Sequence, residues 1–408
     1  MNSIKNRKKR ILVVTQNFYP ESFGINDIVA NLVKEGFEVD VLTGLPNYPQ
    51  GKFYKGYGIF QKGPKFYKGA RVYRCVVFPR LINSKLGICL NYITYPLFAT
   101  IKSIRLIFKK YDKIFAYVPS PIFTSIPAQI ISTFRKCEKI IYVLDIWPES
   151  VYSVIDIKNK FIRKILKSYS GYTYRSFDRL LVCSKGFIPQ LEEYGIDSKR
   201  ITYLPQWFPK IEAEKKSKSI KNKFRNNFNL VFTGNIGIPQ NLSLLIEGAE
   251  LLKKFEEIKF IIVGDGDYLP TFKEEVKKRG LSQKFVFTGR KPFYEMPLYY
   301  EIADGLIATL KDIELFSKIV PAKIPAYMNA GKPILCAING EAAELIAKAK
   351  CGFSSNANDY KEFARNVIKL YKMPKEERKQ FGSNGQRYSR EHFNREKLLL
   401  QLKNILEN

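Results

Sequence analysis

Arg10-Ile-Leu-Val-Val-Thr15 decides the fold, together with Asn17-Phe-Tyr-Pro-Glu-Ser-Phe-Gly24 and the stretch from Asn26 to Glu35, which ends at Gly36. A short apolar run without alternation is the pattern of a strand buried on both faces, as in a parallel sheet. The loop, the helical stretch and the closing glycine complete a strand–loop–helix unit. Phe37–Thr43 reads as the next strand, and others are expected at Val72–Phe78, Lys113–Val118, Lys139–Leu144 and Arg179–Cys183. The second half repeats the pattern. Asn229–Thr233 predicts a strand, Gly234–Gly237 a turn and Leu242–Lys254 a helix. Further strands are expected at Lys259–Val263, Phe285–Thr288, Gly305–Ala308 and Pro333–Cys336. The alternation predicts an α/β protein with two Rossmann-like, doubly wound parallel sheets in tandem. Such sheets bind ligands at the C-terminal strand ends, so the cleft between the two domains is the expected site. Residues 208–228, lysine-rich and poor in apolar side chains, read as the linker between domains at 1–207 and 229–384.

Composition narrows the function. The 408 residues exceed one ordinary domain, and 45% apolar with 26% charged residues argues against disorder. Lys+Arg number 68 against 38 Asp+Glu, a net charge of +30. That excess excludes a neutral housekeeping surface and points to an anionic partner: nucleic acid, an acidic membrane face or a phosphorylated substrate. Compositional bias toward lysine is the competing source. No nucleic-acid-binding signature is present, so no nucleic-acid partner is expected. Cys75, Cys89, Cys137, Cys183, Cys336 and Cys351 show no CxxC spacing, which argues against zinc and suits a reducing compartment. His392 is the single histidine, so no metal site is expected and histidine acid–base chemistry is disfavoured. The first ten residues are polar and basic, and no signal peptide is expected. The longest uncharged stretch, Leu86–Ile101, falls short of the roughly 20 residues that span a bilayer. A cytoplasmic protein, soluble or peripheral on the membrane, is the expectation.

Several residues could carry chemistry. In Thr233-Gly-Asn-Ile-Gly-Ile-Pro-Gln240, Gly234 and Gly237 allow close backbone approach, and the next helix offers free amides and a positive dipole. This is a diphosphate site in principle, and equally a tight turn. Lys318 and Lys323 stand just before and at the start of another helix, where they can face an anion or simply be solvated. Gly264 and Gly266 in Gly264-Asp-Gly-Asp267 make room for a base or ribose; metal chelation by the two aspartates is the weaker alternative. Arg290 and Lys291 end the next strand, beneath the same base. Asp145 comes directly after an apolar strand, beside Trp147-Pro-Glu149, either to contact substrate or to cap a helix, with Glu149 the weaker candidate. The segment 85–113 joins an apolar, aromatic run to Lys102, Arg105, Lys109, Lys110 and Lys113. It either lies on an anionic membrane or covers the sheet.

These stretches resemble the retaining glycosyltransferases of family 4 with the GT-B fold. The likeness is greatest to the bacterial O-antigen and capsule group that includes L-fucosamine-type transferases. The resemblance rests on Gln16-Asn-Phe-Tyr-Pro-Glu21 with Gly24, Asn26 and Asp27, on Thr43-Gly-Leu-Pro-Asn-Tyr-Pro-Gln-Gly51, and on Asp145-Ile-Trp-Pro-Glu-Ser150. It also rests on Thr233–Gly237, Pro321-Ala-Lys323, Ala330-Gly-Lys-Pro333 and Asn339-Gly-Glu-Ala-Ala-Glu344. It implies an N-terminal acceptor domain, a C-terminal nucleotide-sugar domain and a terminal segment, 385–408, crossing back to the first. It implies Asp145 and Gly24 at the reacting centre. Donor contacts would come from Gly234, Asn235, Gly237, Gln240, Gly264, Gly266, Arg290, Lys291, Lys318 and Lys323. Asn26, Asn47, Tyr48, Trp147 and Glu149 would contact the acceptor. It implies a UDP-sugar donor, no metal cofactor, an undecaprenyl-diphosphate-linked acceptor at the inner face of the cell membrane, and other polysaccharide-assembly enzymes as possible partners. The chain departs from the family in two places. Asn235 and Gln240 stand where many members carry Arg and Lys, and the family's paired glutamates fall at Lys318 and Ala326. A nucleotide-sugar-binding accessory protein without turnover is the competing reading.

Overall fold

The computed structural model describes residues 7–81, 85–152, 157–207, 222 and 224–408. The chain forms two compact units, the first Met1–Pro205 with Glu396–Asn408, the second Gln206–Arg395.

Unit 1 is built on β1 (Arg10–Val14), β2 (Glu38–Gly44), β3 (Phe66–Tyr67), β4 (Ala70–Cys75), β5 (Lys113–Val118), β6 (Glu138–Val143), β7 (Arg179–Val182) and β8 (Ile201–Tyr203). Their order across the sheet is β3-β4-β2-β1-β5-β6-β7-β8, all parallel except the β3–β4 pair. In β1, Ile11 to Val14 are fully buried, because helices cover both faces. Strand order reverses between β1 and β5. Helix Gly24–Lys34 links β1 to β2, moving one way across the sheet. Helices Lys85–Ile107, Ile126–Arg135 and Lys160–Ser176 come after β4, β5 and β6, moving the other way. Right-handed crossovers therefore put these last three together on the opposite face.

Unit 2 is built on β9 (Phe228–Thr233), β10 (Ile258–Val263), β11 (Phe285–Gly289), β12 (Gly305–Thr309), β13 (Ile334–Ala337) and β14 (Gly352–Ser355). The order β11-β10-β9-β12-β13-β14 is fully parallel and reverses between β9 and β12. Apolar clusters fill both faces, one around Leu245, Phe260 and Phe272, the other around Ile261, Tyr327 and Cys336.

Two expectations need correction. The linker at 208–228 lies outside the described residues at 208–221 and 223. Its last residues are not linker: Phe224 is buried in the unit 2 core and Phe228 starts β9. The returning segment begins at Glu396 rather than 385, because helix Lys375–His392 belongs to unit 2. Strands β3 and β8 carry too few residues for their pattern to stand out in the sequence, and β14, Gly352-Phe-Ser-Ser355, has no apolar run.

Candidate functional site

The loop after β1 is held by one buried carboxylate. Glu21 Oε1 accepts the backbone N–H groups of Asn47 and Tyr48, each at 2.7 Å, and Oε2 accepts Asn17 Nδ2 at 2.9 Å. Burial nonetheless pushes its carboxyl above the ordinary range. Asn26 is committed to the same loop: its Nδ2 donates to the Glu21 carbonyl and its Oδ1 accepts the Tyr19 N–H. Asn47 is buried, donates to the Leu45 carbonyl and accepts the Arg80 N–H. Both asparagines hold the loops around a cavity, and Asn47 also lines it. Glu21→Ala should cost about 2–4 kcal/mol, because it strands two buried amide donors. Urea unfolding monitored by fluorescence measures this.

The cavity encloses about 180 Å³ at the C-terminal ends of β1, β2 and β5. Gln16, Asn47, Tyr48, Arg80, Tyr92 and Ser120 are among the residues lining it. The Arg80 guanidinium lies over the rings of Tyr48 and Tyr92, at 5.6 and 5.7 Å from their centroids. Sequence reading missed Arg80, which sits in no motif. Tyr48 is 36% exposed here.

Asp145 stands beside this cavity, two residues past β6. Burial raises its carboxyl to about 7, against hydrogen bonds from the Ser150 and Ser120 hydroxyls and with help from the nearby Glu149 charge. Ser120 also accepts Trp147 Nε1 at 3.0 Å, and the Trp147 N–H donates to the buried Tyr174 hydroxyl. Trp147 is thus a buried strut. Glu149 is likewise pushed up by burial and accepts Tyr194 Oη at 3.3 Å. Gly24 opens its helix, and a Cβ there would lie 3.2 Å from Tyr117 Oη, which the Gly24 and Ile25 amides meet.

In unit 2, the β9 turn lies at the switch point of the sheet. Gly234 has φ +133, and a Cβ on it would lie 3.6 Å from Lys323 Nζ. Lys323 Nζ donates to Gln240 Oε1 at 2.7 Å and stands 3.9 Å from the centroid of the Phe232 ring. Burial lowers its ammonium to about 7. Tyr327 Oη, one turn along the same helix, accepts the Thr233 N–H at 3.0 Å and so fixes that helix to the end of β9. Tyr327 carried no signal as a site residue. A Cβ on Gly264 would fall 1.8 Å from the Gly234 carbonyl, and one on Gly266 2.4 Å from the Ile236 carbonyl. These glycines are required by two backbone turns in contact, and the Ile236 N–H donates to the Asp265 carbonyl between them. Asn235 is exposed on the first turn, and Gly237 lies where a Cβ would meet Asn235 Nδ2. Arg290 and Lys291 come directly after Gly289, whose carbonyl accepts the Gly264 N–H. Lys318 is not brought to Lys323: its ammonium donates to Glu314 Oε1 at 2.8 Å. Ala326, at one of the two positions of the family glutamates, is buried in the helix.

Unit 2 can therefore offer an anion a partly buried amine and turn amides. Unit 1 can offer a hydroxylated ligand a carboxyl and a polar cavity. Comparison with known proteins agrees in kind. Residues 213–388 match the family described as Glycosyl transferases group 1. A probable glycosyltransferase of Pseudomonas aeruginosa, WbjE, is 24% identical over 57% of this chain and 59% of its own length. The chain thus spans little more than half of that relative. A putative colanic acid biosynthesis glycosyl transferase of Escherichia coli, WcaI, is 22% identical over 79% of this chain and 81% of its own. Among solved structures, Anabaena HepE in complex with UDP and glucose superposes with a TM-score of 0.71 at 16% identity, over 98% of this chain and 100% of that one. The chain has the GT-B fold, and residues 213–388 of its second unit are similar to the group 1 glycosyl transferases.

Proposed function

We propose that this protein is a retaining glycosyltransferase of bacterial surface-polysaccharide synthesis. Its donor is a UDP-sugar, an N-acetylated 6-deoxyhexose such as L-FucNAc. Its acceptor is an undecaprenyl-diphosphate-linked saccharide at the inner face of the cell membrane, approached through the segment 85–113. The observation that carries this reading is Lys323, held by Gln240 against the Gly234 turn at the switch point of unit 2. A nucleotide diphosphate is the ligand that a partly buried amine beside a glycine turn suits best. The names of similar proteins support it: HepE was solved with UDP-glucose, and WcaI is named for colanic acid.

The chemistry is governed by charge. The diphosphate gains negative charge as the glycosidic bond breaks, and turn amides with Lys323 stabilise it without a metal. Lys318 can join by leaving Glu314, because an exposed i,i+4 pair is worth only about 0.3–0.5 kcal/mol. The ionised Asp145 orients the acceptor hydroxyl or steadies the oxocarbenium-like centre. Transfer also requires both substrates to be held in register, which supplies much of the rate.

The test is turnover by the purified protein of UDP-, GDP- and dTDP-sugars, with undecaprenyl-diphosphate saccharides in detergent and EDTA present. Acceptor-dependent release of UDP alone is the expected result. Binding without turnover across the panel would replace the transferase with an accessory protein.

A further inference from the structure

The three helices gathered on one face of the unit 1 sheet are apolar on their outward sides as well. Leu97, Ile101, Ile104 and Phe108 stand exposed along and just past the first, Phe108 by 79%. Phe134 is exposed on the second. On the third, Phe161 is 71% exposed, with Ile165 and Tyr172 beside it. So large an apolar area on one face marks an interaction surface. Exposed cations are interspersed, among them Arg105, Lys110, Lys136, Lys160 and Lys164.

The same segments hold no carboxylate. No Asp or Glu occurs in residues 86–111, 113–137 or 157–177. The chain carries 38 acids in 408 residues, so several would fall in these runs at the average density. The Tyr169 ring of the third helix packs at a tilt against Phe123, which lies in the turn that leads into the second. The three segments are therefore continuous in space.

We propose that this face docks on an anionic lipid bilayer. The apolar side chains enter the headgroup boundary and the surrounding cations meet lipid phosphates. Charge selects this occupant. A second copy of the same face would oppose cation to cation with no carboxylate to pair them. Among the described residues no helix is long and apolar enough to cross a membrane, so the helices lie along the surface. The third helix extends the contact well beyond the segment 85–113. The inference deepens the reading of a lipid-linked acceptor and rests on it for its purpose, since the first helix also lines the unit 1 cavity through Asn91 and Tyr92.

The experiment is cosedimentation of the full chain with vesicles of phosphatidylcholine, with and without phosphatidylglycerol. Binding is expected only with the anionic lipid. Leu97→Glu with Ile101→Glu, and separately Phe161→Glu with Ile165→Glu, should each lower partition at least tenfold. Leu251→Glu, an exposed site on unit 2, should leave it unchanged. An unchanged circular-dichroism spectrum and melting curve in each variant shows that unit 1 is folded. Equal binding to neutral vesicles, or wild-type partition of both double variants, overturns the proposal. So does a dimer in sedimentation velocity that the substitutions dissolve while vesicle binding is absent. Vesicle binding without transfer to any lipid-linked acceptor leaves the docking face standing and removes the acceptor reading.

Discussion

Asp145→Asn should lower kcat by roughly 10²–10⁴-fold while leaving the affinity for UDP unchanged. The turn proposed for the nucleotide is built wholly from unit 2 residues, so loss of a carboxylate after β6 should not touch it. Asparagine keeps the size and the hydrogen bonds to Ser120 and Ser150 but removes the negative charge. The pH profile supplies a second readout. Burial raises this carboxyl to about 7, so it ionises late and kcat at saturating donor should climb as pH rises through that value. The variant should lose that climb. Stability runs the other way. The folded state holds a proton here that the unfolded state has already released between the ordinary aspartate range and 7. The contribution of Asp145 is therefore full at low pH and fades as pH rises through 7. Asp145→Asn should thus raise the melting temperature relative to wild type at pH 8 and change it little at pH 4. Unchanged turnover with an unchanged profile would take Asp145 out of the mechanism.

Lys323→Met should weaken UDP binding by roughly 10- to 100-fold, the value of a charge-assisted contact at about 1.5–3 kcal/mol. It should also stabilise the free protein at pH 7 by about 1–3 kcal/mol, since a desolvated cation with one hydrogen-bond partner is replaced by an apolar chain of similar length. The unfolded lysine keeps its proton through neutral pH, whereas the folded one loses it near 7. The unfolded state binds more protons above that point, so wild-type stability rises with pH from about 7 upward relative to the variant. A bound diphosphate holds the amine charged, so UDP binding should take up a proton and weaken as pH climbs through 7. Isothermal titration calorimetry in buffers of different ionisation enthalpy reads that proton directly. Equal UDP affinity in the variant would remove Lys323 from the donor site. A gain in stability with a loss of binding is the signature of strain kept for function.

The two titrations bear on one profile. Asp145 gains activity as pH rises through 7, and Lys323 loses donor affinity over the same range. Under limiting donor, kcat/KM should pass through a maximum near neutrality. Each variant should open one limb of that curve.

The long parallel strands were legible because a strand covered on both faces needs an unbroken apolar run, and Ile11–Val14, Ile114–Val118 and Leu230–Phe232 are such runs. The tandem of two sheets was legible from the repeat of strand, glycine turn and helix. Asp145 and Lys323 stood out in the sequence as charges at strand and helix ends. The pairing of Lys318 with Glu314 was not legible because Glu314 lies four residues away on a helix too short to be seen in the sequence. The backbone partners of Asn26 and Asn47 were not legible because a polar loop residue can serve a ligand or its own backbone equally well.

By itself, then, the sequence determined the layer architecture, the turns and the residue types at the strand ends, since these depend on periodicity and local backbone chemistry. Only the tertiary structure decided which of those residues meet. Glu21 finds the Asn47 and Tyr48 amides 26 and 27 positions away, and Lys323 finds Gln240 across 83. It also decided which side of an apolar helix is covered: Tyr95, Ala99 and Leu106 turn inward from Lys85–Ile107 while Leu97, Ile101 and Ile104 turn out. When both sides of a helix are apolar, periodicity cannot choose between them; the position of the sheet does.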